Sequence, residues 1–177
     1  MSLLQDKKKT DRNSLTRMSI GEAIIQLIQH EHLDDVKIAS VCKRAGVSRM
    51  TFYHYYQTKL EALQDYLNEI ILQYLQNEHA KERFGSYEHI LFSLQFFTQY
   101  SDYILGLTRV GCYNILIDGV NKFLEEHNQD AFHKSVYDLY FYSGALLNTF
   151  VKWLENGKKE PIEEIAGIIA KYSVQTD

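Results

Sequence analysis

Proline is nearly absent from this chain of 177 residues, with Pro161 standing alone, and glycine is held to nine positions. So small a supply of turn residues argues against a loop-rich or all-β fold, and the long stretches free of both suggest helices. Cysteine is equally scarce. Cys42 and Cys112 lie far apart and show no metal-ligand spacing, which suits reduced thiols in a cytoplasmic protein. No uninterrupted apolar run approaches the ~20 residues needed to span a bilayer. The first residues, MSLLQDKKKTDRN, carry charge without a following apolar run of signal-peptide type. A soluble protein with no membrane partner is expected. Catalytic signatures are missing as well: there is no H-E-x-x-H, no G-x-S-x-G and no P-loop. Asp130 and His133 fit one helix turn but have no nucleophile nearby in sequence. The expectation is a non-enzyme with no cofactor and no metal.

The net charge of −4 hides a division. Residues 1–60 carry ten basic and six acidic side chains, a net of +4, whereas residues 61–177 carry nine and seventeen, a net of −8. Attraction to phosphate is local, so the basic first third matters more than the total. The acidic remainder would repel a nucleic acid and help orient the protein on it.

The stretch from Asp35 to Leu63, DVKIASVCKRAGVSRMTFYHYYQTKLEAL, organises the chain. Ile38, Val41 and Cys42 give a first short helix one apolar face. Ala45-Gly46 stops it, because glycine adopts positive φ without steric cost. Ser48 can cap a second short helix, Arg49 to about Tyr55, by accepting from an orphan N–H. Val47, Phe52 and Tyr56 point into a small core. Arg49, Met50, Thr51, Tyr53, His54 and Tyr55 are left outward or along the rim, a chemistry suited to a DNA groove. Thr58-x-x-Glu61 is a capping box that opens a third helix at Lys59, whose ammonium would meet a phosphate there.

The segment AGVSRMTFYHYYQTKLEAL resembles the helix-turn-helix core of the TetR/AcrR family of bacterial transcriptional regulators. The matching residues are Ala45-Gly46-Val47-Ser48, Thr51-Phe52-Tyr53, Tyr55-Tyr56, and Lys59 with Leu63. With the helix before Asp35, the likeness covers about the first third of the chain. Two departures stand out. Lys37 occupies a position where the family usually has a capping Thr, so Asp34 or Asp35 is left to cap, and Met50 stands where a small residue is common. The resemblance implies an all-α fold: a three-helix DNA-binding head over residues 1–58 and a helical effector-binding and dimerisation domain over residues 59–177. It further implies a ligand-responsive repressor that binds a palindromic operator as a homodimer. Lys37, Ser48, Arg49, Met50, Thr51, Tyr53, His54, Tyr55 and Lys59 would form the DNA-binding set, with Lys37 and Lys59 on phosphates.

Along the rest of the chain, residues 1–10 with Lys7-Lys8-Lys9 read as a mobile arm. Residues 11–30 form a helix with Leu15, Met18, Ile20, Ala23, Ile24, Leu27 and Ile28 on one face. The helix from Lys59 extends toward Arg83 and joins the two parts. Beyond it, aromatic residues are dense, Phe132 among them. Each one alone reads most simply as core packing, yet a ring-lined cavity with a few polar tips is a usual small-molecule site. Phe96, Tyr100, Tyr103, Tyr113, Tyr137 and Phe141 are the candidates for a small-molecule effector. Trp153-Leu154-Glu155-Asn156-Gly157 and Pro161-Ile162-Glu163-Glu164 more weakly resemble the C-terminal ends of TetR-like proteins grouped with the dihydroxyacetone-kinase operon regulators. In the TetR family the last two long helices usually form the dimer interface, which implies Leu147, Phe150, Leu154, Ile165 and Ile169 for that role; the alternative is a monomer core using the same residues. Two further readings stay open: a protein-interaction co-regulator whose effector is a partner protein, and a thiol sensor using Cys42 or Cys112.

Overall fold

The computed structural model describes residues 2–127 and 135–173, and every regular element among them is helical. Asp130, Phe132 and His133 lie outside the described residues. The helices are α1 (Ser2–Ile28), α2 (Ile38–Ala45), α3 (Arg49–Tyr55), α4 (Lys59–Leu75), α5 (Tyr87–Thr98), α6 (Ser101–Arg109), α7 (Tyr113–His127), α8 (Val136–Glu155) and α9 (Ile162–Ser173). The chain divides into two units, 1–71 and 72–177, at a point inside the last turn of α4. The expected head ended at residue 58. The later division has a packing reason: Ala62, Leu63, Tyr66, Leu67 and Ile70 of α4 are all buried.

In the first unit, Ile20, Ala23, Ile24 and Ile28 form the buried stripe of α1, as their spacing of three and four requires. Val41 and Cys42 of α2, Phe52 of α3 and Leu63 of α4 complete the core. Gly21 permits a close approach: a Cβ there would stand 2.4 Å from the Tyr66 ring. Three expectations are corrected here. Residues 2–10 are helical and continue α1, because nothing among them breaks a helix. Neither Asp34 nor Asp35 caps α2; the N-cap is Lys37 in extended conformation, with no side-chain cap bond. And α4 stops at Leu75 rather than near Arg83, after which Asn77 Oδ1 accepts from the His79 N–H (3.4 Å) and starts one turn of 3-10 helix over Glu78–Lys81.

In the second unit, α5 packs on α9, α7 on α8, α8 on α9, and α6 on both α7 and α8. Ile90, Leu94, Leu107 and Leu139 are fully buried at the centre. The turn between α8 and α9 uses left-handed Gly157 (φ 79°) and Lys158 (φ 56°). Trp153 closes it by donating its Nε1–H to the Glu160 carbonyl at 2.9 Å while stacking on Phe150.

Candidate nucleic-acid interface

The α2–turn–α3 segment forms as its residue types dictate. Gly46 ends α2 at φ 67°, and the Val47 N–H donates to the Cys42 carbonyl at 3.0 Å. Ser48 Oγ accepts from the Thr51 N–H at 2.9 Å, satisfying one of the free donors at the start of α3. Beyond it, Thr58 Oγ1 accepts from the Glu61 N–H (3.1 Å), and Glu61 Oε2 accepts from the Gln57 N–H (2.8 Å). The reciprocal cap thus reaches one residue further back than the usual capping box.

Seven residues make α3, too few for a stable helix in isolation, so its neighbours must hold it. Phe52 is wholly buried. Tyr56, its C-cap, donates to Asp65 Oδ2 of α4 at 2.5 Å. Tyr55 donates to Asn13 Oδ1 of α1 at 3.0 Å, so this ring, expected outward, is turned back into the fold. Thr51 Oγ1 lies 2.9 Å from Ser48 Oγ and belongs to the cap. Behind Tyr56, Arg17 Nε donates to Asp65 Oδ2 (2.6 Å) and its Nη2 to Asp65 Oδ1 and Glu69 Oε1 (2.9 Å). Ser14 donates to Glu69 Oε2 (2.6 Å). The Asp65 carboxylate raises the Arg17 guanidinium above its ordinary value. Burial, helped by Asp65, pushes the Tyr56 phenol well up. Both groups keep their protons across the physiological range.

Four side chains of α3 remain outward: Arg49, Met50, Tyr53 and His54. At ~100° per residue they span about 140° of arc, a single face. Met50 is 85% exposed and Tyr53 59%. Tyr53 rests edge-on against Phe52 and His54 against Tyr55, which limits how far either ring can swing. Lys37 and Lys43 of the α2 region are exposed too, and exposed Arg44 donates to Gln26 of α1 (3.0 Å). Residues 36–60 hold five basic side chains and no acidic one, so this face attracts phosphate. Lys59 is the exception among the five. Its ammonium donates to the backbone carbonyls of Leu33, Asp34 (3.3 Å) and Val36 (2.8 Å). An ammonium has three protons, and here all three are used inside the fold. In this arrangement none is left over for the phosphate contact expected of it.

The six aromatic candidates for an effector site do not converge. Phe96 and Tyr100 touch each other and lie in a ring cluster with Tyr74, Phe92 and Phe97. Tyr103 is buried on α6, and Tyr113 on α7 donates toward Asn148 at 3.4 Å. Tyr137 and Phe141 are on the outside of α8, 83% and 64% exposed. The five dimer candidates are corrected in the opposite sense. Leu147, Phe150, Leu154, Ile165 and Ile169 all lie in the second unit's own core. The exposed large apolar groups on the two last helices are instead Val136, Tyr137, Tyr140, Phe141, Ile168 and Tyr172.

Sequence reading passed over His89, which is buried in the second unit. Ser93 donates to the His89 carbonyl (2.7 Å), so its oxygen accepts from the Tyr74 hydroxyl (2.8 Å). Tyr74 oxygen is then left to accept from His89 Nε2–H (3.2 Å), and Nδ1 faces the Tyr142 hydroxyl (3.5 Å). This chain satisfies every member only with a neutral imidazole. Burial lowers the His89 pKa to about 4, which agrees. The sequence signal that could have found it is the i, i+4 pair His89 and Ser93 on an otherwise apolar helix. Cys42 is buried in the first unit's own core, and burial raises its thiol pKa.

A glycine turn between two short helices, a capped second helix with a free basic and aromatic face, and a supporting helix on each side define a helix-turn-helix DNA-binding unit. Residues 20–65 match the model of the bacterial regulatory proteins of the tetR family. The fold is similar to that in the crystal structure of a TetR transcriptional regulator from Rhodococcus sp. RHA1. The TM-score is 0.57 at 15% identity, over 95% of this chain and 100% of that one. No curated protein matches the chain in sequence. Residues 20–65 therefore carry a helix-turn-helix segment of the tetR-family type, on a fold similar to that of a TetR transcriptional regulator. Among its described residues no helix is long and apolar enough to cross a membrane.

Proposed function

We propose that this chain is a TetR-family transcriptional regulator, a cytoplasmic, non-enzymatic repressor that binds a palindromic operator as a homodimer and is released by a small-molecule effector. The observation that carries the operator reading is the division of α3. Ser48, Thr51, Phe52, Tyr55 and Tyr56 hold the helix, while Arg49, Met50, Tyr53 and His54 face outward with no part in the fold's own hydrogen bonds. Arg49 and His54 supply donors for base edges or phosphates, and Lys37 supplies a phosphate contact at the start of α2. Homodimerisation rests on the exposed stripe of Tyr137, Tyr140, Phe141, Ile168 and Tyr172, too apolar for a face that stays in water. The effector reading rests on the ring cluster around Tyr74 and the polar chain through His89. Its domain would be residues 72–177, with α4 belonging to both units.

Selection from a random duplex pool tests the central reading: an inverted repeat should be enriched. Arg49→Ala should then reduce discrimination between that repeat and its single-base variants by roughly 1–3 kcal/mol if Arg49 makes a bidentate guanine contact. Failure to enrich any sequence would count against operator binding. The exposure of Tyr137 and Phe141 favours a second reading, in which a partner protein is the effector and sits on α8. A chain already dimeric through this stripe would refute it, and a stable heteromeric complex recovered with the stripe covered would support it.

A further inference from the structure

Exposure on α3 is unevenly distributed by chemistry. Arg49, Tyr53 and His54 carry polar groups that water satisfies. Met50 does not, yet at 85% exposure it is the most exposed large apolar side chain among the described residues. At that exposure the fold gives it little apolar shelter, and its i+3 and i+4 neighbours Tyr53 and His54 are themselves exposed. A thioether has no donor and accepts only weakly, so hydrogen-bonding edges of bases give it nothing. The floor of the major groove presents one apolar group, the C5-methyl of thymine. An unbranched side chain with three rotatable bonds can reach and settle against such a group.

We propose that Met50 is a specificity-determining residue that reads the C5-methyl of a thymine in each half-site. The inference rests on the operator-binding reading above and deepens it: Arg49 and His54 take polar edges, and Met50 takes the apolar one. It requires a thymine at a fixed place in each arm of the inverted repeat.

The test uses the full-length protein and the operator selected from the random pool. Each thymine is replaced in turn, symmetrically in both arms, by deoxyuridine, which lacks only the methyl. Dissociation constants are measured for the parent, Met50→Ala and Met50→Leu, with far-UV circular dichroism confirming that each variant folds. At one thymine position the parent should bind about fourfold more weakly per methyl removed, the worth of one buried methyl group. Met50→Ala should bind the thymine operator as weakly as the parent binds the uracil one, and should not distinguish the two. Met50→Leu should keep most of the discrimination. An equal uracil penalty in Met50→Ala and parent overturns the inference, as does no penalty at any position, and in both cases operator binding stands. A protein that enriches no sequence overturns the operator reading and this inference together.

Discussion

Replacing Lys59 with methionine keeps the aliphatic stem and deletes the ammonium, so it isolates the three bonds to the α1–α2 connection. Two of the carbonyls belong to Leu33 and Val36, both buried residues, and the bond to Asp34 is exposed and longer. Hydrogen bonds to a charged group are worth ~1.5–3 kcal/mol when well shielded. With one bond exposed and the ammonium half-buried, a total loss of about 2–3 kcal/mol is expected. For a chain of this size, 1 kcal/mol moves the midpoint by roughly 2–4 °C, so Tm should fall by about 4–12 °C. Circular dichroism at 222 nm measures this directly. A parallel titration of random-duplex binding against salt separates the two roles of the residue. A phosphate ligand contributes about 0.9 to the slope of log K against log salt; a structural staple contributes nothing. The result that refutes the reasoning is a Tm within a degree of the parent combined with a slope shallower by about one.

Three further outcomes follow from placements in the fold. Ile165→Glu with Ile169→Glu would bury charge in the second unit's own core, at a cost of several kcal/mol, and should unfold or aggregate the protein. Phe141→Glu with Ile168→Glu, both on the surface, should leave circular dichroism and Tm near parental values while analytical ultracentrifugation shows a monomer; a dimer of unchanged mass would remove this stripe from the interface. His89 has a folded pKa of about 4 against an unfolded value near 6.5, so the unfolded chain binds the proton more readily in between. The stability it protects is complete above about pH 6.5 and is lost as pH falls toward 4, by an amount on the order of 2–3 kcal/mol. Urea unfolding at pH 7.5 and 4.5 should show that loss in the parent and a smaller one in His89→Phe; equal losses would refute it.

Local rules carried far in the first unit. The limits of α3, its Ser48 cap and the glycine stop at Gly46 each depend on two or three adjacent residues, so sequence sufficed. The Lys59 contacts to the fold were not legible in the sequence, for a physical reason. A long flexible side chain goes to whichever acceptors tertiary structure brings near, and the Leu33–Val36 carbonyls arrive from over twenty residues away. Tyr55 lies about 200° around α3 from Tyr53, so periodicity already turns it away, and its hydroxyl is held by Asn13, a still more distant partner. In α8, apolar and aromatic residues occupy most faces, so spacing alone could not tell Phe141 outside from Leu147 and Phe150 inside. The neutral His89 chain depends on atoms from α4, α5 and α8 meeting at one place, which no single window of sequence contains.

The split of α3 into holding and outward-facing residues makes this surface unusually open to change. Side chains that anchor the helix sit at 48, 51, 52, 55 and 56, and those that face outward sit at 49, 50, 53 and 54. Exchanges at 49 and 50 remove no buried contact and those at 53 and 54 only the edge contacts to Phe52 and Tyr55, so most should alter stability by no more than about 0.5–1 kcal/mol. A library at those four codons that omits proline and glycine would therefore consist mostly of folded proteins. Target preference could drift, or be redirected by selection, along a path that never passes through an unfolded intermediate sequence.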